Sequence, residues 1–194
     1  MTRWSRFSPI YNNYNIGNYL EYRLYPREKV FVDGRPEAYP KEFFSREYYP
    51  AQNSYEGFES IDKKYHFNTV FYEHKNQTVN ENKLLLGLSQ SNDWNMVYLN
   101  SSIVIFTKDK VKSIASDSAT IIGEELVDQA EIGDLSNFYR VIGWFVPMMK
   151  MDLKYLEKDP DNCTALRHVA AVMKQTNDPE AHVYITRFMN TCSK

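Results

Sequence analysis

Glycine is scarce in this 194-residue chain: there are seven, at positions 17, 34, 57, 87, 123, 133 and 143, never closer than ten residues apart. No glycine-rich loop can therefore bring several backbone amides onto a phosphate, and the fingerprints of nucleotide-binding folds are absent. Cysteine is scarcer, with two residues, and the four histidines (66, 74, 168 and 182) form no short ligand spacing with them. A structural zinc site needs four close ligands, so neither a metal nor another cofactor is expected. No sign of charge dominates, with 23 Lys and Arg against 25 Asp and Glu. Residues 1–65 carry 10 basic and 9 acidic groups, 66–123 carry 5 and 5, and 124–194 carry 8 and 11. Nucleic-acid binding needs clustered Lys and Arg to displace counterions, so a nucleic-acid partner is not expected. The longest apolar run, residues 141–149, contains Pro147 and falls far short of the ~20 residues of a membrane span. Residues 1–6 have no signal-like apolar stretch after Arg3 and Arg6, so export would require a segment upstream.

Aromatic residues are what the chain has in excess, at 15%. Ten of the 15 tyrosines precede residue 66, which marks the first third as a distinct packing unit. Residues 10–15 read as a strand, 18–25 as an amphipathic helix closed by Pro26, and 29–33 as an apolar strand suited to a parallel sheet. Pro40 opens a helical pattern through Phe43, Phe44 and Tyr48, and Ser54 caps a second helix reaching Tyr65. A third strand over 68–73, a helix over 81–90 and a hairpin of 94–99 with 103–107 follow. The expected architecture is α/β: a mostly parallel open sheet with helices on both faces and an antiparallel edge hairpin. The expected domains are residues 1–108, a connector over 109–123, and an all-helical segment over 124–194. That segment reads as a helix over 135–157 interrupted near Pro147, a helix over 162–175, and a helix over 179–190 that starts on Pro179.

The best polar constellation is Asp33, Arg35 and Glu37, at and after the carboxyl end of the expected parallel strand, where ligand crevices of α/β sheets form. Asn13 and Asn15, at the end of the first strand, can join it as ligand-binding candidates. The simpler reading is that Asp33 pairs with Arg35 or with backbone amides and fixes the loop before Tyr39-Pro40. Asp33 together with Glu73-His74-Lys75 also resembles the Asp…Glu-x-Lys pattern of metal-dependent nucleases. Two expected helices separate those motifs, and an exposed strand end explains the tripeptide more simply. No catalytic residue is assigned. Cys163 starts one expected helix and Cys192 ends the next, so a helical hairpin brings both sulfurs to one end. They form either a disulfide or two free thiols, as the compartment decides.

Three stretches together carry a family resemblance: residues 12–20, Asn-Asn-Tyr-Asn-Ile-Gly-Asn-Tyr-Leu, with Leu24-Tyr25-Pro26; residues 30–40, Val-Phe-Val-Asp-Gly-Arg-Pro-Glu-Ala-Tyr-Pro; and residues 94–106, from Trp94 to Phe106. Over residues 9–108 the chain resembles the soluble C-terminal domain of bacterial polytopic membrane proteins of the glycosyltransferase C type, relatives of dolichyl-phosphate-mannose mannosyltransferases. The resemblance implies an extracytoplasmic domain, in the periplasm or at the cell exterior, attached to a membrane-embedded protein that uses a lipid-linked sugar. The catalytic acids of such proteins lie in membrane loops that this chain lacks. The tail, with Asp159-Pro160-Asp161-Asn162, Ala165, Leu166, Ala170, Asp178 and Ala181, is similar to one tetratricopeptide repeat. The expected function is non-catalytic binding or positioning of an acceptor, a glycan or a protein partner. The alternatives are a stand-alone interaction scaffold that uses the helical tail and, third, a metal-dependent hydrolase or nuclease.

Overall fold

The computed structural model describes residues 8–75, 78–115 and 128–193. The reading of residues 1–6 and the part of the expected connector from residue 116 to Gly123 lie outside these. The chain divides into two compact units, Met1–Ile114 and Ala115–Lys194.

The first unit mixes helices with a four-stranded sheet in the order β1-β2-β4-β3. The strands are β1 (Ile10–Asn12), β2 (Thr69–Glu73), β3 (Asn95–Leu99) and β4 (Ile103–Thr107). β1 pairs parallel with β2, Ile10 opposite Thr69, while β4 runs antiparallel to both β2 and β3. The sheet is therefore mixed rather than mostly parallel. The missing parallel strand is residues 29–33, which are not a strand. Phe31, Val32 and Asp33 are buried, as an apolar run should be, but the backbone of Phe31 and Val32 is partnered by one side chain. Asn12 Nδ2 donates to the Val32 carbonyl at 2.7 Å, and Asn12 Oδ1 accepts from the Phe31 amide at 2.9 Å. A single carboxamide cannot propagate a ladder, so the segment stays irregular.

Helix α1 (Tyr14–Leu24) starts where β1 ends. It packs backbone against backbone: a Cβ on Gly17 would stand 2.2 Å from the Val32 carbonyl oxygen. A short 3₁₀ turn, Pro36–Ala38, leads to α2 (Lys41–Phe43), a π-helical turn Phe44–Tyr48, and α3 (Tyr49–Asn53). Ser54 caps α4 (Tyr55–Tyr65) by accepting from the Gly57 amide. A capping box between Thr78 and Glu81 opens α5 (Val79–Gln90). The core is aromatic at its centre. The Tyr11 ring lies 5.0 Å from Phe58 and 5.5 Å from Phe67, both edge-on, and Trp94 covers Phe58 at 5.6 Å. Leu84, Leu85 and Leu88 of α5 are fully buried, as their helical spacing requires.

The described part of the second unit is four helices, α6 (Gln129–Val141), α7 (Phe145–Leu156), α8 (Cys163–Gln175) and α9 (Ala181–Cys192). The break between α6 and α7 falls at Gly143 and not at Pro147. Gly143 takes φ +79, and the Trp144 amide reaches back to the Tyr139 carbonyl at 2.8 Å, which closes α6 in a Schellman turn. Pro147 sits in the first turn of α7, where a missing N–H costs no helical bond. Asn177, φ +55, closes α8 in the same way. Leu156, Ala165, Leu166, Val169 and Met173 form one buried cluster of this unit, with Tyr184 and Phe188 of α9 packed on it, and Ile132, Leu135, Phe138 and Tyr139 of α6 are fully buried as well. Cys163 and Cys192 are joined by a disulfide. Among the described residues, no helix is long and apolar enough to cross a membrane.

Candidate functional site

Asp33 and Arg35 come together as a fork on a fork. Arg35 donates to Asp33 Oδ1 from its amide at 2.9 Å and from Nε at 3.2 Å, and its Nη2 reaches Oδ2 at 2.5 Å. The Asp33 amide donates to the Tyr39 hydroxyl at 3.0 Å, and the Gly34 amide to Asn18 Oδ1 at 2.7 Å. These contacts tie the loop down and use up the Asp33 carboxylate. The other three candidates do not join the pair. Asn13 spends its carboxamide on the backbone of Glu73, donating to the carbonyl at 2.9 Å and accepting from the amide at 3.1 Å. Its side chain thereby replaces the next rung of the β1–β2 ladder where the backbone has turned into α1. Asn15 is exposed on α1, and Glu37 is exposed in the 3₁₀ turn. His74 is buried against the hairpin turn, its Nε2 within 2.8 Å of the Asn100 carbonyl oxygen. Among the described residues no group of three or more His, Cys, Asp or Glu could hold a metal ion.

The hydrogen bonds from Arg35 hold the Asp33 carboxyl below its usual range, although burial opposes them. A carboxyl with a depressed folded pKa stabilises the fold above its unfolded value of about 3.9 and loses that contribution as pH falls through the folded value. Arg35→Ala is therefore expected to be less stable than the wild type near neutral pH, with the difference vanishing in acid. Urea melts of both proteins from about pH 7 to about pH 2 check this. A difference independent of pH would assign the effect to lost packing.

The same loop forms one wall of a larger feature that the sequence pattern did not reveal, an aromatic groove of about 590 Å³. Tyr39 stacks on Phe43, with ring centres 4.8 Å apart, and Tyr65 stacks on Phe67 at 5.5 Å. Phe31 lies 5.2 Å from each of Phe43, Tyr65 and Phe67 and joins the two stacks. Burial, and then the charge of Asp33, push the Tyr39 phenol up to about 12, so it stays a neutral hydroxyl. Glu47 and Lys64 stand on the groove lining as an ion pair, with Lys64 Nζ 3.0 Å from both carboxylate oxygens. The Tyr65 hydroxyl donates to Glu47 Oε2 at 2.5 Å. Burial works to raise the Glu47 carboxyl, but the bonds from Tyr65 and Lys64 outweigh it and hold the group below its usual range. The result is an apolar, aromatic lining with a few convergent polar groups, the composition of a small-molecule site. Its residues come from the start of β1, the 29–33 segment, Tyr39 and Pro40, α2, the π-helical turn, α4 and Phe67 before β2, so only the fold assembles them. The one signal in the sequence was the excess of aromatic residues before residue 66.

Compared with known proteins, the chain matches no protein-family model, no curated protein and no solved structure.

Proposed function

We propose that the chain is a non-catalytic, extracytoplasmic domain of a membrane-embedded glycosyltransferase-like protein, and that its aromatic groove binds or positions a glycan acceptor. The observation that carries this reading is the groove: two stacked aromatic pairs joined by Phe31, with the Glu47–Lys64 pair on the lining. Sugar rings present C–H faces that pack on aromatic rings and hydroxyls that bond to carboxylates and ammonium groups. The disulfide supports an oxidising compartment. The resemblance over residues 9–108 supports the kind of parent protein, with a lipid-linked sugar as donor.

Titration of the isotopically labelled chain with oligosaccharides is the test. Saturable shifts are expected at Phe31, Tyr65 and Phe67, and Tyr65→Ala should weaken binding about ten-fold, the equivalent of one lost stacking partner. Silence across neutral, acidic and amino sugars would sink the reading.

A stand-alone interaction scaffold with a tetratricopeptide-like tail is the second reading. It is favoured by α9, where Val183, Ile185 and Met189 are 43%, 36% and 56% exposed. Ile185 and Met189 lie one turn apart on one face of α9, and an exposed apolar pair of that kind suits contact with a partner.

A further inference from the structure

The helical unit contains a polar cleft of about 490 Å³, lined by residues of α6, α7 and α8. Its centre is a buried carboxylate. Asp152 is 5% exposed, and both of its oxygens are engaged: Ser136 Oγ donates to Oδ1 at 2.6 Å, and His168 Nδ1 lies 2.9 Å from Oδ2. A carboxylate bonded to one ring nitrogen fixes the tautomer and orientation of an imidazole, so His168 offers Nε2 to the cleft. Two arginines stand on the same lining, Arg140 from α6 and Arg167 from α8. Asn137 Oδ1 accepts from Arg140 Nε at 3.3 Å and from Nη2 at 2.8 Å, which orients that guanidinium. Neither arginine is ion-paired among the described residues, and Asp152 is the one acid on the lining.

The cleft therefore carries two positive charges against one negative. Two forked donors and a directed imidazole surround one concave volume. The first turn of α8 adds partial positive charge at the edge of the cleft, because Thr164 and Ala165 line it and that turn holds no acid. We propose that this cleft is a binding site for a phosphate group, with Arg140 and Arg167 as its side-chain donors and His168 Nε2 as the acceptor for a phosphate hydroxyl. Two guanidinium forks offer more N–H donors than the two oxygens of a carboxylate use, and suit the three terminal oxygens of a phosphate monoester. The site lies wholly within the second unit and is independent of the glycan reading.

The test is titration of the labelled full chain with inorganic phosphate, a hexose 1-phosphate, acetate, and vesicles with or without phosphatidic acid. Saturable shifts at Thr164, Arg167 and His168 are expected with phosphate, with acetate much weaker. Arg140→Gln and Arg167→Gln should each weaken phosphate binding about ten-fold, while Arg23→Gln, in the other unit, should leave it unchanged. Both cleft arginines are exposed, so these variants keep the fold, and thermal melts verify that. His168→Asn is less decisive because it strips a buried carboxylate of its partner. Binding of the hexose phosphate but not of the vesicles identifies a soluble ligand; vesicle binding that depends on phosphatidic acid identifies a lipid headgroup. Absence of phosphate binding, acetate binding of equal strength, or wild-type affinity in both arginine variants would overturn the proposal.

Discussion

Opening the Cys163–Cys192 disulfide is expected to cost the helical unit about 3 kcal/mol. The bridge closes a loop of 29 residues that contains nearly all of α8 and α9. Chain-entropy arguments for a loop of that size give about 3–4 kcal/mol, because the cross-link removes freedom from the unfolded chain. The effect is concentrated where the fold is thinnest. No residue of α9 is fully buried, and it is held to α8 mainly through Tyr184, Phe188 and the bridge. The double variant Cys163→Ser/Cys192→Ser should melt roughly 12–24 °C lower in that unit, as calorimetry would show, since ~1 kcal/mol shifts a small unit by about 4–8 °C. The transition of the α/β unit should not move. An unchanged melting temperature for the helical unit would show that helix packing alone holds α9 in place.

The second large effect is expected at Asn12. Its side chain is fully buried and joins β1 to the 31–33 segment. Asn12→Ala leaves the Val32 carbonyl and the Phe31 amide inside the protein without that partner. A stranded buried polar group costs about 1–3 kcal/mol, so the expected loss is about 3 kcal/mol for the two. Asn12→Asp does not rescue it, because a carboxylate accepts from Phe31 but cannot donate to Val32. Denaturant unfolding monitored by far-ultraviolet circular dichroism measures the loss. The substitution also reaches the groove. Phe31 joins the Tyr39–Phe43 and Tyr65–Phe67 stacks, so once its backbone is released glycan affinity should fall although residue 12 lines no part of the groove. Normal stability in Asn12→Ala would mean that Val32 and Phe31 find other partners by a small shift of the loop.

Local chemistry made much of the architecture legible. Ser54 and Asn162 cap their helices, leucines at helical spacing in α5 are buried, and the Asn-Ser-Ser turn joins two strands, each for reasons contained within a few residues. The Asp33–Arg35 pair was legible in the same way, two residues apart and complementary in charge. Two features hidden from the linear pattern share one cause. Residues 29–33 have the composition of a buried strand and are buried, but a strand is defined by its hydrogen-bond partner, and here that partner is the side chain of Asn12, about twenty positions earlier. Asn13 looked like a ligand-binding amide for the same reason, because its target is the backbone of Glu73, sixty positions away. Carboxamides can imitate backbone, and nothing in a linear pattern shows when they do.

The sequence by itself located most of the helices, although α1 and α6 start at Tyr14 and Gln129, earlier than its pattern showed, and it determined that nucleotide and zinc fingerprints are lacking and that two cysteines fall at one end of a helical hairpin. Those follow from composition, periodicity and capping, which act over a few residues. Only the tertiary structure decided the mixed sheet, the burial of the 31–33 segment on Asn12, the aromatic groove, and the cleft that gathers Arg140, Asp152, Arg167 and His168. Each of these depends on which distant side chain takes a buried polar atom or fills a gap between elements. That choice is made by packing in three dimensions, where residues far apart in the chain compete for the same space.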